Sequence, residues 1–240
     1  MHVEWNNRIL VAGASGVIGR SVCRLLIEDG WHVIGTTRSA ERAAALRTIG
    51  VDPAIVDVYD EEALQRVVAN AQPEIVIHQL TDLPPGLDPR RMEEGRIRNN
   101  RIRDIGTRNL IASAAVCGVK RMVVQSMAFA YAPGPMPYLE DSPLNSDSIA
   151  SFEQQALDAP FPCIVLRYGK LYGPGTGFDS PRCAGSVHVD AAANAARLAV
   201  TRGEAGVYNV AEDDDIVSSL KAREHLGWDP DFRIDSQMVN

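Results

Sequence analysis

No stretch constrains this chain more than Val11-Ala12-Gly13-Ala14-Ser15-Gly16-Val17-Ile18-Gly19-Arg20. It joins a short apolar run, Arg8-Ile9-Leu10-Val11-Ala12, to residues 21–30, whose apolar side chains recur at helical spacing and stop at Gly30. The implied order is strand, glycine turn, helix. Glycines let a backbone bend tightly and come close to a phosphate, while a helix N-terminus turns free N–H groups and its dipole toward an anion. A glycine turn can also serve no ligand at all, but here the strand before it and the helix after it both fit. The expectation is a pyrophosphate cradle built from Gly13, Ser15, Gly16, Val17, Ile18 and Gly19.

The same alternation continues downstream. Trp31-His32-Val33-Ile34-Gly35 reads as a second strand and runs into Thr36-Thr37-Arg38-Ser39, where dinucleotide folds that prefer NAD place a carboxylate for the ribose hydroxyls. None is present. Arg38 suits a 2′-phosphate, with Thr37 and Ser39 as neutral hydrogen-bond partners, so NADP is the preferred cofactor and NAD the alternative. A solvated surface arginine is the other reading of Arg38. Ser39 also fits as the N-cap of a helix over residues 40–48 that closes at Gly50.

Strands are expected at 52–58 and 73–81, with a helix at 61–70 between them. The strand at 73–81 is apolar enough to be buried on both faces. Pro84-Pro85-Gly86 breaks the chain before a long arginine-rich helix at 89–117, read mainly as a charged exposed face. A fifth strand at 118–126 ends at Ser126. Further strands at 161–167 and 206–210 and helices at 191–201 and 218–226 complete the series, with Asp190 read as an N-cap. Strand and helix alternating in this way give an α/β fold, a Rossmann-type doubly wound parallel sheet with a small mixed C-terminal lobe. The division expected is a dinucleotide-binding core over 1–168 and a lobe over 169–240 whose elements return to that core.

The chain's 240 residues, 45% hydrophobic and 23% charged, suffice for one large core. No run approaches the roughly 18 apolar residues of a membrane span, and the first residues lack a signal-peptide pattern, so the expected setting is cytoplasmic, without a membrane partner. A net charge of −7 speaks against a nucleic-acid partner. Cys23, Cys117, Cys163 and Cys183 are too scattered for a disulfide framework or a zinc site. Glu212-Asp213-Asp214-Asp215 reads as solvated or capping rather than metal-binding, and no metal is expected.

The glycine spacing is Gly-x-x-Gly-x-x-Gly, and several later segments agree with it. Gly106-Thr107-Arg108-Asn109-Leu110, Phe129-Ala130-Tyr131 after Ser126, Leu166-Arg167 through Tyr172-Gly173-Pro174-Gly175, and His188-Val189-Asp190 stand in order. Jointly these resemble the extended short-chain dehydrogenase/reductases, in the branch called the NAD-dependent epimerase/dehydratase family. The resemblance implies that Asp57 and Val58 contact adenine, with helix capping as the other role for Asp57. It implies that Gln79, Leu80 and Thr81 line the cofactor, that Tyr168 and Gly169 approach the nicotinamide, and that His78 is a structural core histidine. Arg103 stands where the family has an asparagine, and turned inward it suits an anionic substrate beside the cofactor. The resemblance also implies a small-molecule substrate and a homodimer formed through residues 89–117.

One part of the family pattern fails. Its catalysis uses a tyrosine four residues before a lysine, whose charge lowers the phenol's pKa so that it can exchange a proton with the substrate. The three lysines here, Lys120, Lys170 and Lys221, follow Val116, Leu166 and Val217 at that spacing. Alignment on Glu153 puts Asn145 and Ile149 in the two columns, and Met127 falls on the assisting serine or threonine. Tyr131, Tyr138 and Lys170 are the candidate substitutes, expected to converge at the carboxyl edge of the sheet, where Ser126, also a catalytic candidate, ends the fifth strand. Two functions fit: an oxidoreductase or epimerase-like enzyme for a small alcohol, ketone or sugar, with an unorthodox proton donor, or a sensor that holds NADP without turning it over.

Overall fold

A computed structural model of the protein describes residues 6–212 and 215–234. Residues 1–5, on which part of the signal-peptide reading rests, and Asp213 and Asp214 of the acidic run lie outside the described residues. The first half alternates strictly: β1 (Arg8–Ala12), α1 (Val17–Glu28), β2 (His32–Thr37), α2 (Ala40–Arg47), β3 (Asp52–Ile55), α3 (Glu61–Ala71) and β4 (Ile75–His78). Short 3-10 turns then lead to α4 (Met92–Arg101), a π-helical segment (Ile102–Gly106) and α5 (Thr107–Val116). The second half contains β5 (Arg121–Met127), α6 (Asp147–Leu157), β6 (Cys163–Tyr168), β7 (Lys170–Tyr172) and β8 (Ser186–His188). It ends with α7 (Val189–Ala199), β9 (Gly206–Val210) and α8 (Leu220–Leu226).

Seven strands form one sheet in the order β3-β2-β1-β4-β5-β6-β9, every neighbouring pair parallel. The order reverses between β1 and β4, which opens a crevice at the carboxyl ends of those two strands, the usual ligand position in such sheets. The central strands are apolar on both faces because helices cover both. On one side Val22, Leu25 and Leu26 of α1 pack with α7, whose Ala191, Ala192, Ala195, Ala196 and Ala199 are fully buried. Their methyl groups let α7 lie close to its neighbours. On the other side Leu64, Leu110, Phe152 and Ala156 of α3, α5 and α6 cover Leu10, Val76, Met122 and Val165. Each fully buried leucine or isoleucine stabilises such a core by about 1.5–3 kcal/mol.

The elements after residue 169 mostly rejoin this core. β9 extends the main sheet beside β6, and α7 shares the α1 cluster; β7 and β8 form a separate two-stranded parallel sheet. Several expected boundaries shift. The strand expected at 52–58 ends at Ile55, where pairing with β2 stops. The helix expected to begin near residue 191 begins at Val189, with His188 as N-cap: its Nδ1 accepts the N–H of Asp190 at 3.2 Å. Asp190 therefore lies in the first turn rather than at the cap, and its carboxylate receives the N–H of Ile234 at 3.2 Å. Residues 89–117 do not form one unbroken helix, since a 3-10 turn begins the run and the π segment interrupts it.

Candidate dinucleotide site

The crevice between β1 and β4 is a groove with about 680 Å³ of open space. Its floor is the glycine turn. Gly13 has φ +87°, and a Cβ there would lie 2.6 Å from the carbonyl oxygen of Gln79. At Gly19 a Cβ would lie 2.2 Å from the carbonyl oxygen of Gly13. Side chains at these two positions would displace β4 or lift α1 off the turn. Gly16 ends the turn as the N-cap of α1 without a side-chain cap, and the first turn has no acidic residue. The positive end of α1 therefore has no negative charge of its own to neutralise it.

The structure places many of the expected residues along this groove. Gly13, Ser15 and Gly16 line it from the turn, and Thr37 and Arg38 from the end of β2. Val58 contributes after β3, while Gln79, Leu80 and Thr81 contribute after β4. Val17, Ile18 and Gly19 form the first turn of α1 behind the lining. Ser39 is taken up as the N-cap of α2, accepting the N–H of Arg42 at 3.3 Å. Asp57 likewise accepts the N–H of Tyr59 at 3.0 Å and lies outside the lining, and Asp60 caps α3. The helix-capping role considered for Asp57 thus belongs to Asp60.

Arg42 lines the groove as well, a residue the sequence reading passed over. It lies in the first turn of α2, just beyond the N-cap Ser39 that follows Arg38. Arg38 is half exposed and lies 3.6 Å from Asp82, whose carboxylate also faces Arg98 at 3.6 Å. β2 itself ends without a carboxylate.

Gln79 connects the groove to the middle of the sheet. It is 5% exposed, and its Nε2 donates to the Tyr168 hydroxyl at 3.3 Å. Its Oε1 has no partner. A buried unpartnered oxygen beside a glycine cradle and an uncapped helix end fits a dinucleotide, whose amide and ribose groups can donate to it. Tyr168 is buried and held protonated, its pKa pushed above the usual phenol value by that burial. Gly169 packs against the backbone near Gly185, where a Cβ would lie 2.5 Å from the Gly185 oxygen.

His78 is a core histidine, as the family resemblance implied. It is 1% exposed, its Nδ1 accepts the N–H of Leu80 at 3.2 Å and its Nε2 is 2.9 Å from the Thr107 hydroxyl. Burial lowers its pKa to about 4, so it is neutral at pH 7.

The candidate catalytic residues are engaged elsewhere. The Ser126 hydroxyl donates to Glu153 at 2.5 Å, and Glu153 holds Arg167 through contacts of 2.9 and 2.6 Å in a buried ion pair. Arg167 donates to the Tyr131 hydroxyl at 2.9 Å, and that hydroxyl donates to Asn209 at 2.5 Å. Tyr131 also stacks on Tyr138, and burial raises its pKa despite the nearby arginine. A phenol fixed in this way ties the loop after β5 to β6 and β9. Lys170 has different neighbours: its amine lies 3.3 Å from the Cys183 sulfur and 5.8 Å from the Phe129 ring centre. The expected convergence of Tyr131 and Lys170 is therefore not found, because the Arg167 guanidinium occupies the place beside the phenol that the lysine was to fill.

Arg103 is likewise not in the groove. It lines a second cleft, between the π segment and α6, with Phe152, Ser151 and Gln155. Across the π turn the angular phase read from α-helical spacing does not carry over, so the side chain faces away from the position expected.

The comparisons agree with this architecture. The model of the NAD dependent epimerase/dehydratase family matches residues 9–186. A 3-diazoavenalumate denitrifying reductase from a Streptomyces species is 36% identical over 233 residues, covering 90% of this chain and 71% of that protein. Methionine adenosyltransferase 2 subunit beta from Xenopus laevis is 27% identical over 70% of this chain, which spans about half (48%) of its length. Among solved structures, a UDP-glucose 4-epimerase from Thermotoga maritima, in a structure with UDP-glucose, aligns with a TM-score of 0.75 at 20% identity, covering 94% of each chain. A UDP-glucose 4-epimerase from Thermus thermophilus in complex with NAD aligns equally well, with a TM-score of 0.75 at 21% identity over 96% of each. Among the described residues no helix is long and apolar enough to cross a membrane.

Proposed function

Because this chain belongs to the NAD dependent epimerase/dehydratase family, we propose that it is an NADP-preferring oxidoreductase or epimerase-like enzyme acting on a small alcohol, ketone or sugar. The observation that carries the cofactor preference is the pair Arg38 and Arg42 lining the groove, with no carboxylate on β2 itself and Asp82 beside Arg38. Two guanidinium groups suit a 2′-phosphate, whereas the ribose hydroxyls of NAD call for a carboxylate. The 36% identical relative is named as a reductase, which favours the reductive direction.

In this reading the Gly13–Gly19 turn and the open end of α1 bind the pyrophosphate, and Gln79 and Tyr168 orient the buried half of the cofactor. When bound, the nicotinamide supplies or accepts a hydride. The substrate end lies along the carboxyl ends of β5 and β6, beside Phe129 and Lys170. The segment between β7 and β8 is only a loop, so a compact substrate fits better than a nucleotide-sugar. With Tyr131 fixed by Arg167 and Asn209, the reading gives the proton transfer to Lys170 Nζ or to solvent.

The test is a double substitution, Arg38→Ala with Arg42→Ala. Its expected result is NADPH affinity lowered at least about tenfold with NADH affinity unchanged, since each charged contact to a phosphate is worth about 1.5–3 kcal/mol. Equal losses for both nucleotides, or no loss, would remove the proposed role.

A second reading, a dinucleotide-holding sensor or regulatory protein, is favoured by Asn145 and Ile149 in the tyrosine and lysine columns. It is also favoured by a relative named as a subunit of an adenosyltransferase. NADPH oxidation by any of a broad set of carbonyl compounds, weakened at limiting NADPH by the double substitution, excludes it.

A further inference from the structure

β1 pairs with β2 on one side and with β4 on the other, so Thr36 and His78 both lie beside Ala12, about 10 Å apart across two strand spacings. Arg38 follows shortly after Thr36, and Asp82 shortly after His78. An ion pair between them therefore crosses the crevice over the carboxyl end of β1. The structure has that pair: Arg38 Nη2 lies 3.6 Å from Asp82 Oδ1, and Nε of Arg98 in α4 faces the same oxygen at 3.6 Å.

The two ends of this strap are held differently. The backbone N–H of Asp82 donates to Oδ1 of Asn99 at 3.0 Å, and Asn99 is buried in α4. Next along the same loop, Pro84 packs so closely on α4 that a Cβ at Gly95 would lie 2.5 Å from the proline ring. Asp82 is thus fixed to the body of the protein, whereas the Arg38 side chain is long and half exposed. Asp82 has two opposite ways to act on an anion that Arg38 would bind. A carboxylate that oriented the guanidinium would prepare it for the anion; a carboxylate that only faces it competes for it. At 3.6 Å the contact is longer than a hydrogen bond, so it attracts the charge without fixing the direction of the planar fork. Competition is the effect that remains. Nor is Asp82 left without a cation when Arg38 turns away, because Arg98 stays beside it, itself shared with Glu94 at 2.8 Å.

We propose that Asp82 sets the size of the nucleotide preference, as an internal competitor for Arg38 that a 2′-phosphate displaces. It holds the affinity for NADPH below what Arg38 and Arg42 alone would give, and it leaves NADH, which has no phosphate at that place, unaffected. The inference rests on the reading of Arg38 as a partner of the 2′-phosphate. Asp82 acts through Arg38 and is a positioning residue, not a contact of the nucleotide.

The experiment is fluorescence titration of the full chain with NADPH and with NADH at one low ionic strength. The proteins compared are the parent, Asp82→Asn, Asp82→Glu, Arg38→Ala, and Arg38→Ala combined with Asp82→Asn. Asp82→Asn keeps the side-chain shape and the backbone bond to Asn99 while removing the charge. Its NADPH affinity should rise about three- to fivefold, the scale of a partly exposed ion pair, with NADH affinity within about twofold of the parent's. A gain in affinity does not arise from unfolding. Asp82→Glu keeps the charge and should bind both nucleotides as the parent does. In the Arg38→Ala background the gain from Asp82→Asn should fall by at least about half, because the residue competed for is gone. The proposal is overturned if Asp82→Asn leaves NADPH affinity unchanged or lowers it, the latter meaning that Asp82 prepares the guanidinium. It is also overturned if NADH affinity falls instead, since Asp82 then accepts the ribose hydroxyls, or if the gain is undiminished without Arg38. The parent's own preference judges the reading of the groove, and the change on substitution judges Asp82, so the two fail separately. Equal parent affinities with a gain in Asp82→Asn support Asp82 as the competitor and contradict the parent's preference; no binding of either nucleotide overturns both.

Discussion

His78 shows how much one side chain's surroundings decide. A histidine at the end of a central strand of an oxidoreductase-like fold invites a catalytic role, yet its two ring nitrogens are used by the Leu80 N–H and the Thr107 hydroxyl. Burial lowers its folded pKa to about 4, against about 6.5 in an unfolded chain. The unfolded state therefore binds the extra proton between those values, and stability is lost as pH falls through that window. Between pH 7 and pH 5 the loss attributable to His78 is about 2 kcal/mol. Urea unfolding at the two pH values, compared between the parent and His78→Gln, should show that part of the pH slope missing in the variant. Equal slopes would mean that His78 is not held neutral in the fold. The family resemblance implied this structural role, whereas the fates of Ser126 and Tyr131 were hidden in the sequence. Both stand in the expected motif, but the partners that occupy their hydroxyls, Glu153, Arg167 and Asn209, are 27, 36 and 78 residues away. No local pattern reports contacts at that separation.

At the scale of elements, strands and helices with strong periodicity were legible and their junctions were less so. β9 lies where the sequence placed it, since five residues between a glycine and polar loops leave little choice. The interruption at Ile102–Gly106 was not legible, because π and α turns carry the same apolar stripe and differ only in which carbonyl each N–H reaches. That one turn moved Arg103 from the groove, where the family column placed it, to the cleft beside α6. Another junction shows how an element end is secured from a distance. Arg121, the first residue of β5, donates to the carbonyls of Ala199, Arg202 and Gly203 at 2.9, 2.7 and 3.0 Å, just past α7. Its charge also complements the negative end of that helix. Arg121→Met should cost about 2 kcal/mol, read as a lowered urea midpoint with unchanged m-value. A variant as stable as the parent would show that water replaces the guanidinium at these carbonyls without loss.

Over the whole molecule, the parallel order β3-β2-β1-β4-β5-β6-β9 follows from short apolar strands separated by helices, and the sequence displays both. The order fixes the crevice at the carboxyl ends of β1 and β4, and the glycine turn and the end of β2 decide what enters it. In the proposed reading Gly13 and Gly19 leave room for a pyrophosphate, the open end of α1 attracts it, and Arg38 and Arg42 favour a further phosphate over bare ribose hydroxyls. The account rests on that crevice holding NADP in preference to NAD, whatever chemistry follows. Fluorescence titration of the unmodified chain with NADPH and with NADH, side by side at one ionic strength, tests this most directly. The account predicts saturable binding of both, with NADPH tighter by at least about tenfold, a difference of about 1.4 kcal/mol. Equal affinities, tighter NADH, or no binding of either would contradict it.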